Sequence, residues 1–195
     1  MVKIVVITGG IASGKSFITE YLAKFGYSIL RSDDIVNEII SSQAFLEEIN
    51  ARCNLNSIAS LTELKKAIED TEQILAIMEE ILYPQIRKFR DAWLKANTNR
   101  EKPSILEIPL FFEKNVQLTL SNYEIIIIST VCEKYLQIKR AKQRNKKMTD
   151  KMINLLISKQ ISNDERVARS TFIIYTDVRK SVVKKQLSEI MLHLR

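Results

Sequence analysis

The sequence predicts an α/β protein with a parallel β-sheet covered by helices on both faces. Three observations carry that prediction. Short apolar runs of strand length recur at Lys3–Thr8, Ser28–Arg31, Ser104–Ile108, Tyr123–Thr130 and Phe172–Tyr175. The stretches between them place apolar residues at helical spacing, and strands alternating with helices need the crossovers of a parallel sheet. Ile125–Ile128 is an unbroken isoleucine run, the pattern of a strand buried on both faces.

Each element has its own local reason. Ser16 to Phe25 reads as a helix because Ile18, Tyr21, Leu22 and Phe25 fall at i, i+3, i+4 and i+7, and Gly26 stands where a helix closes. The second strand ends in Ser32-Asp33-Asp34, and from Ile35 to about Leu94 the pattern is helical throughout. Ser60-x-x-Glu63 has the form of a capping box, opening a helix with Leu64 and Ile68. Ile74, Leu75, Met78, Ile81 and Leu82 form a stripe closed by Tyr83-Pro84, and Ile86, Phe89 and Trp93 form another. The aromatic residues of this insertion, Tyr83 and Trp93 among them, are expected in a core. Glu133–Lys147, Asp150–Ile161 and Val178–Leu194 complete the predicted helices. The long helical insertion reads as a substrate-side appendage, and the basic helix pair after the fourth strand as a lid.

Bulk composition sets limits. The 195 residues, 46% hydrophobic and 27% charged, suffice for one well-buried core. No run approaches the roughly 20 apolar residues of a membrane span, and Ile4–Ile7 is too short for a signal peptide. Cys53 and Cys132 lie far apart without ligand spacing, so both are expected to be buried, reduced thiols of a cytoplasmic protein. The net charge of +7 is satisfied by a triphosphate plus a second phosphorylated ligand. His193, the one histidine, is expected at a solvated helix end. Acid–base work must then fall to carboxylates, lysines and arginines.

The most specific signal is Gly9-Gly10-Ile11-Ala12-Ser13-Gly14-Lys15-Ser16, which fits G-x-x-x-x-G-K-[ST] directly after the first strand. Backbone N–H groups of such a loop wrap the phosphates of a nucleoside triphosphate, and the following helix adds its positive end. Gly10, Ile11, Ala12, Ser13, Gly14, Lys15, Ser16 and Phe17 are therefore the expected ATP contacts. Lys15 brings charge to the β/γ-phosphates, and the Ser16 hydroxyl is suited to Mg²⁺.

Asp33 and Asp34 follow the second strand, and ligands bind at the carboxyl ends of such strands. One can accept the proton of an attacking hydroxyl, and the other reading of the same residues is a helix cap. Glu107, at the end of the third strand, is placed to order a Mg²⁺ shell through water. Glu113 reads equally as a functional carboxylate or an ordinary one. Lys139, Arg140, Lys142, Arg144, Lys146 and Lys147 form a basic run without an acidic residue. Arg140 and Arg144 share a helix face and are the residues expected at phosphates. The lysines beside them are expected to be solvated.

Together these segments resemble the dephospho-coenzyme A kinase family. The resemblance rests on Thr8 through Ser16, on Asp33, on Ile108-Pro109-Leu110-Phe111-Phe112-Glu113, and on Gln137, Arg140 and Arg144. It runs from residue 3 to about 165. It implies a P-loop kinase fold like that of the nucleoside monophosphate kinases: a five-stranded parallel core, a helical substrate domain and a lid. The corresponding segments are 1–34, 98–136 and 165–195 for the core, 35–97 for the substrate domain and 137–164 for the lid. The implied reaction moves the γ-phosphoryl of ATP to the ribose 3′-hydroxyl of dephospho-CoA, with Asp33 as general base and Arg140 as phosphate clamp. Mg²⁺ is the implied cofactor, in a monomer or small homo-oligomer that binds neither nucleic acid nor membrane. Three positions depart from the family pattern. Arg31 replaces the first acid of Asp-x-Asp, Tyr83-Pro84 stands for His-Pro, and Thr171–Val178 lacks the Asn-Gly near adenine. Two other readings share the residues: another small-molecule kinase of this architecture, and a nucleotide-dependent nucleic-acid-binding module. Against the module, the basic run contains no aromatic residue and the chain no recognisable nucleic-acid motif.

Overall fold

A computed structural model describes residues 2–53, 58, 60, 62–64, 72–97 and 102–194. Five strands form one sheet: β1 (Val2–Gly9), β2 (Ile29–Arg31), β3 (Ser104–Glu107), β4 (Tyr123–Val131) and β5 (Phe172–Tyr175), in the order β2-β3-β1-β4-β5. The β1–β3, β1–β4 and β4–β5 pairs are parallel, with Val5 opposite Ile105 and Ile126, and Ile128 opposite Phe172. Ile4, Val5, Val6 and Ile7 are all fully buried, as expected of a central strand with both faces covered. The chain divides into two compact units, one of residues 1–30 with 97–195 and one of residues 31–96.

In the first unit, helix α1 (Lys15–Ala23) and the closing helix α8 (Lys180–His193) supply apolar stripes to one core. Ile18 and Leu22 of α1 meet Val5, Ile7 and Ile128 of the sheet, with Val183, Leu187 and Ile190 of α8. The turn after α1 is closed by Gly26 at φ +77°, where its N–H reaches Ala23 O at 3.0 Å and Tyr27 N–H reaches Leu22 O at 3.5 Å. Leu22→Ala should lower unfolding free energy by about 2–5 kcal/mol, the usual cost of a fully buried leucine truncated in a close-packed core. Urea denaturation measures it, and a loss below about 1 kcal/mol would mean the site relaxes around the gap.

After β4 come α5 (Lys134–Arg144), α6 (Asp150–Ser158) and α7 (Asn163–Ala168). The Thr149 and Ser162 hydroxyls accept from Met152 N–H and Glu165 N–H, which fixes where α6 and α7 begin. α6 therefore stops short of the expected Ile161, and α7 is a helix the sequence reading did not anticipate. His193 is exposed at the end of α8, its ring 5.6 Å from that of Phe172.

The second unit contains α2 (Ser32–Ile40), α3 (Gln43–Cys53) and α4 (Glu72–Asn97, whose last residue belongs to the first unit). Phe45, Leu46, Ile49, Ile58, Leu64, Ile74, Ile81 and Leu82 form its core. Asn50 clasps the Ile58 backbone from both sides, donating to its carbonyl at 2.8 Å and accepting from its N–H at 3.2 Å. At the expected capping box, the Ser60 hydroxyl accepts from Glu63 N–H at 3.3 Å; Ile68 lies outside the described residues.

The expected break at Tyr83-Pro84 is not there, because α4 runs straight through Pro84. A proline inside a helix costs about 3 kcal/mol. Ile74, Ile81 and Leu82 before it and Ile86 after it pack on one cluster, and that burial outweighs the local penalty. Tyr83 is 44% exposed rather than in a core, and Leu75 and Phe89 are also exposed. Trp93 is half-buried. Among the described residues, no helix is long and apolar enough to cross a membrane.

Candidate active site

The loop between β1 and α1 is held by its own polar groups. Gly10 O accepts from Ser13 N–H at 3.2 Å, from the Ser13 hydroxyl at 2.7 Å and from Lys15 Nζ at 2.8 Å. Lys15 Nζ also donates to Gly9 O at 2.9 Å. Ser13 Oγ and Thr130 Oγ1, both buried, lie 2.5 Å apart, so the loop is tied to β4. Gly14 has φ +101° and the non-glycine Ala12 φ +52°. Left-handed backbone positions of this kind are the ones from which anion cradles are built. A Cβ on Gly9, at φ +149°, would lie 2.7 Å from Thr130 O. α1 then starts at Lys15 with no acidic residue in its first turn, which leaves its positive end for an anion. Ser16 is exposed there, and Phe17 lies against the core with Lys180 Nζ 5.5 Å from its ring centroid.

Arg140, from α5, reaches this loop through one residue. Its Nη1 donates to Thr176 Oγ1 at 3.1 Å and its Nη2 to Thr176 O at 2.6 Å. The Thr176 hydroxyl in turn donates to Ser13 O at 2.6 Å. Sequence reasoning missed Thr176, although its place just after β5 is where ligand sites gather in open α/β sheets. Arg144 and the four lysines of the basic run are exposed, Lys142 pairing with Asp150 at 2.7 Å. Cys132 is buried, and burial pushes its thiol above its ordinary pKa. Cys53 is only half-buried, and both cysteines are free thiols.

Glu107, 6% exposed, accepts from Thr19 Oγ1 on α1 at 3.0 Å. A buried carboxylate fastened to the helix that carries Ser16 gives hard oxygen donors, a chemistry that fits Mg²⁺. Glu113, left open between two readings above, is an anchor. Its Oε1 accepts from Ile161 N–H at 3.1 Å and from Arg166 Nη2 at 3.2 Å, and Arg166 is 1% exposed. Arg166 carried no sequence signal, being one arginine in a polar six-residue helix.

Asp33 and Asp34 belong to the other compact unit, where both are exposed in the first turn of α2. Neither caps that helix, whose N-cap position is Arg31, with no side-chain capping bond. Their charge still favours the helix start through its dipole.

A parallel sheet whose first strand feeds a glycine–lysine–serine cradle at a helix N-terminus defines a P-loop nucleotide-binding fold. The solved dephospho-CoA kinase from Campylobacter jejuni has this fold, with a TM-score of 0.72 at 23% identity over 98% of this chain and 96% of that one. The sequence matches the dephospho-CoA kinase family over residues 3–181, and the chain belongs to that family. Among relatives described as dephospho-CoA kinases, that of Fusobacterium nucleatum is 26% identical over 89% of either chain. That of Gamma-proteobacterium EBAC31A08 is 29% identical over 95% of this chain and 93% of its own.

Proposed function

We propose that this kinase transfers the γ-phosphoryl group of ATP to the 3′-hydroxyl of the dephospho-CoA ribose, giving CoA and ADP in the last step of coenzyme A biosynthesis. The observation that carries the reading is the cradle at Gly10–Ser16, in a chain that belongs to this family along most of its length. Residues Gly10 to Phe17 bind the phosphates through the backbone N–H groups that the loop does not itself use, those of Ile11 and Ser13 being held by Gln160 and Gly10 O. Lys15 moves from the carbonyls of Gly9 and Gly10 to the β/γ-oxygens. Asp33 takes the proton of the attacking hydroxyl. The new O–P bond forms as the bond from the γ-phosphorus to its bridging oxygen breaks, and ADP leaves. A guanidinium carries five N–H donors, so Arg140 can hold Thr176 and still clamp the phosphoryl group, with Arg144 a turn further on.

Ser16, and Glu107 through water, would hold Mg²⁺, which when bound neutralises charge on the phosphate oxygens. Residues 35–97 take the role of substrate domain and 137–164 that of lid. The two free thiols fit a reducing compartment, and we place the protein in the cytoplasm.

The test is a coupled ADP-release assay with ATP, Mg²⁺ and dephospho-CoA, beside CMP, AMP and a no-acceptor control. Release that depends on dephospho-CoA is the expected result. Intact ATP binding with no stimulation by that acceptor would overturn the substrate, and Arg31 and Tyr83 would be examined first.

A further inference from the structure

The peptide unit joining Gly10 to Ile11 is held at both ends. Its carbonyl, Gly10 O, takes the three donors from Ser13 and Lys15 described above. Its N–H, that of Ile11, donates to Gln160 Oε1 at 3.0 Å, across 149 positions of sequence. Gln160 stands just beyond α6, and the next residue is fixed as well. Ile161 N–H donates to Glu113, and Ile161 O accepts from the buried Arg166 at 3.4 Å. Gln160 therefore projects from an anchored joint rather than from a free loop. Gln137, buried on α5, closes the other side. A Cβ on Gly10 would collide with Gln137 Nε2 and lie 3.3 Å from Gln160 Oε1. Two glutamine amides, one from each side of the 145–149 connection, thus enclose the loop apex.

A peptide plane in a glycine-rich loop can flip, and flipping would pull Gly10 O away from the Ser13 N–H and hydroxyl that shape the loop. One residue beyond this plane stands Ala12, whose φ of +52° is unfavourable for a residue with a Cβ. From this geometry we infer that Gln160 is a positioning residue of the phosphate loop. Its carbamoyl oxygen fixes the Gly10–Ile11 peptide, so the cradle meets the nucleotide already formed. Preorganised donors bind without the cost of ordering them at the moment of contact. The inference rests on the nucleotide-binding half of the function proposed above and needs no particular phosphoryl acceptor.

Gln160→Met keeps the length of the side chain and removes the acceptor. In this variant the Ile11 amide hydrogen should exchange about tenfold faster by nuclear magnetic resonance, while the Val5 and Ile7 amides of β1 stay as protected as before. ADP should bind about tenfold more weakly by calorimetry, the equivalent of one hydrogen bond, with the thermal midpoint unchanged. An unchanged Ile11 exchange rate, or unchanged ADP affinity, overturns the assignment.

Gln160→Glu keeps an oxygen at the same reach and should restore slow Ile11 exchange. Should Gln160→Met fail to fold, this variant decides: slow exchange supports the bond and fast exchange overturns it. Neither readout involves dephospho-CoA. A protein that fails to phosphorylate that acceptor would overturn the proposed reaction and leave Gln160 standing. Normal turnover with Ile11 exchange unaltered in Gln160→Met would do the opposite.

Discussion

Asp33→Asn should lower turnover with dephospho-CoA by about 10²–10⁴-fold, the range expected when a positioned general base is removed, while ATP affinity is nearly unaffected. Asparagine keeps the shape of the side chain and cannot take a proton. Asp34→Asn is the necessary companion. The two carboxylates are adjacent in the first turn of α2 and both exposed. Neighbouring residues on a helix point about 100° apart, so they cannot serve the same hydroxyl. One variant should therefore be nearly inactive and the other nearly normal. ATP is held by the phosphate loop and Lys15, so its affinity should change little in either variant. If Asp34→Asn is the damaging change, the base is Asp34. If ATP affinity falls with turnover in either variant, the base assignment fails, because the lost interaction is one made in the ground state as well.

What was legible in the sequence was what short-range chemistry dictates. β1, the phosphate loop and α1 follow from a contiguous apolar run, two glycines at fixed spacing and a helical stripe, each within a few residues of its cause. Ile125–Ile128 announced β4 in the same way. The illegible features depend on partners far along the chain. Thr176 matters because Ser13 and Arg140 meet it, and Gln160 because Ile11 does. Polar residues with distant partners leave no periodicity to read. Pro84 shows a strong local rule overridden by the burial of Ile81, Leu82 and Ile86. α7 escaped notice because its one buried residue is Arg166, a type that no hydrophobic pattern detects. Glu113 was noticed without a role, since only the fold brings Ile161 and Arg166 to it.

Arg140→Ala should cost turnover about 10³–10⁵-fold, the effect of an arginine that stabilises charge on a transferring phosphoryl group. The geometry supplies a rival explanation that the same variant cannot exclude. Arg140 grips Thr176 by both its hydroxyl and its carbonyl, and Thr176 holds Ser13 O in the loop. On that explanation, loss of the guanidinium acts by loosening the loop, a strut's effect and not a clamp's. Thr176→Val separates the two. It removes the hydroxyl that links Arg140 to Ser13, leaves the arginine in place, and should cost about 1–3 kcal/mol of stability, because polar groups at a buried position lose their partner. A clamp predicts that turnover survives Thr176→Val far better than Arg140→Ala. A strut predicts comparable losses, with ATP affinity falling in both variants as the cradle loses its shape. Arg140→Lys sharpens the contrast: one ammonium cannot grip Thr176 as a planar fork does, yet it keeps a charge for the phosphate. Its turnover should exceed that of Arg140→Ala if the clamp reading is right and match it if the strut reading is.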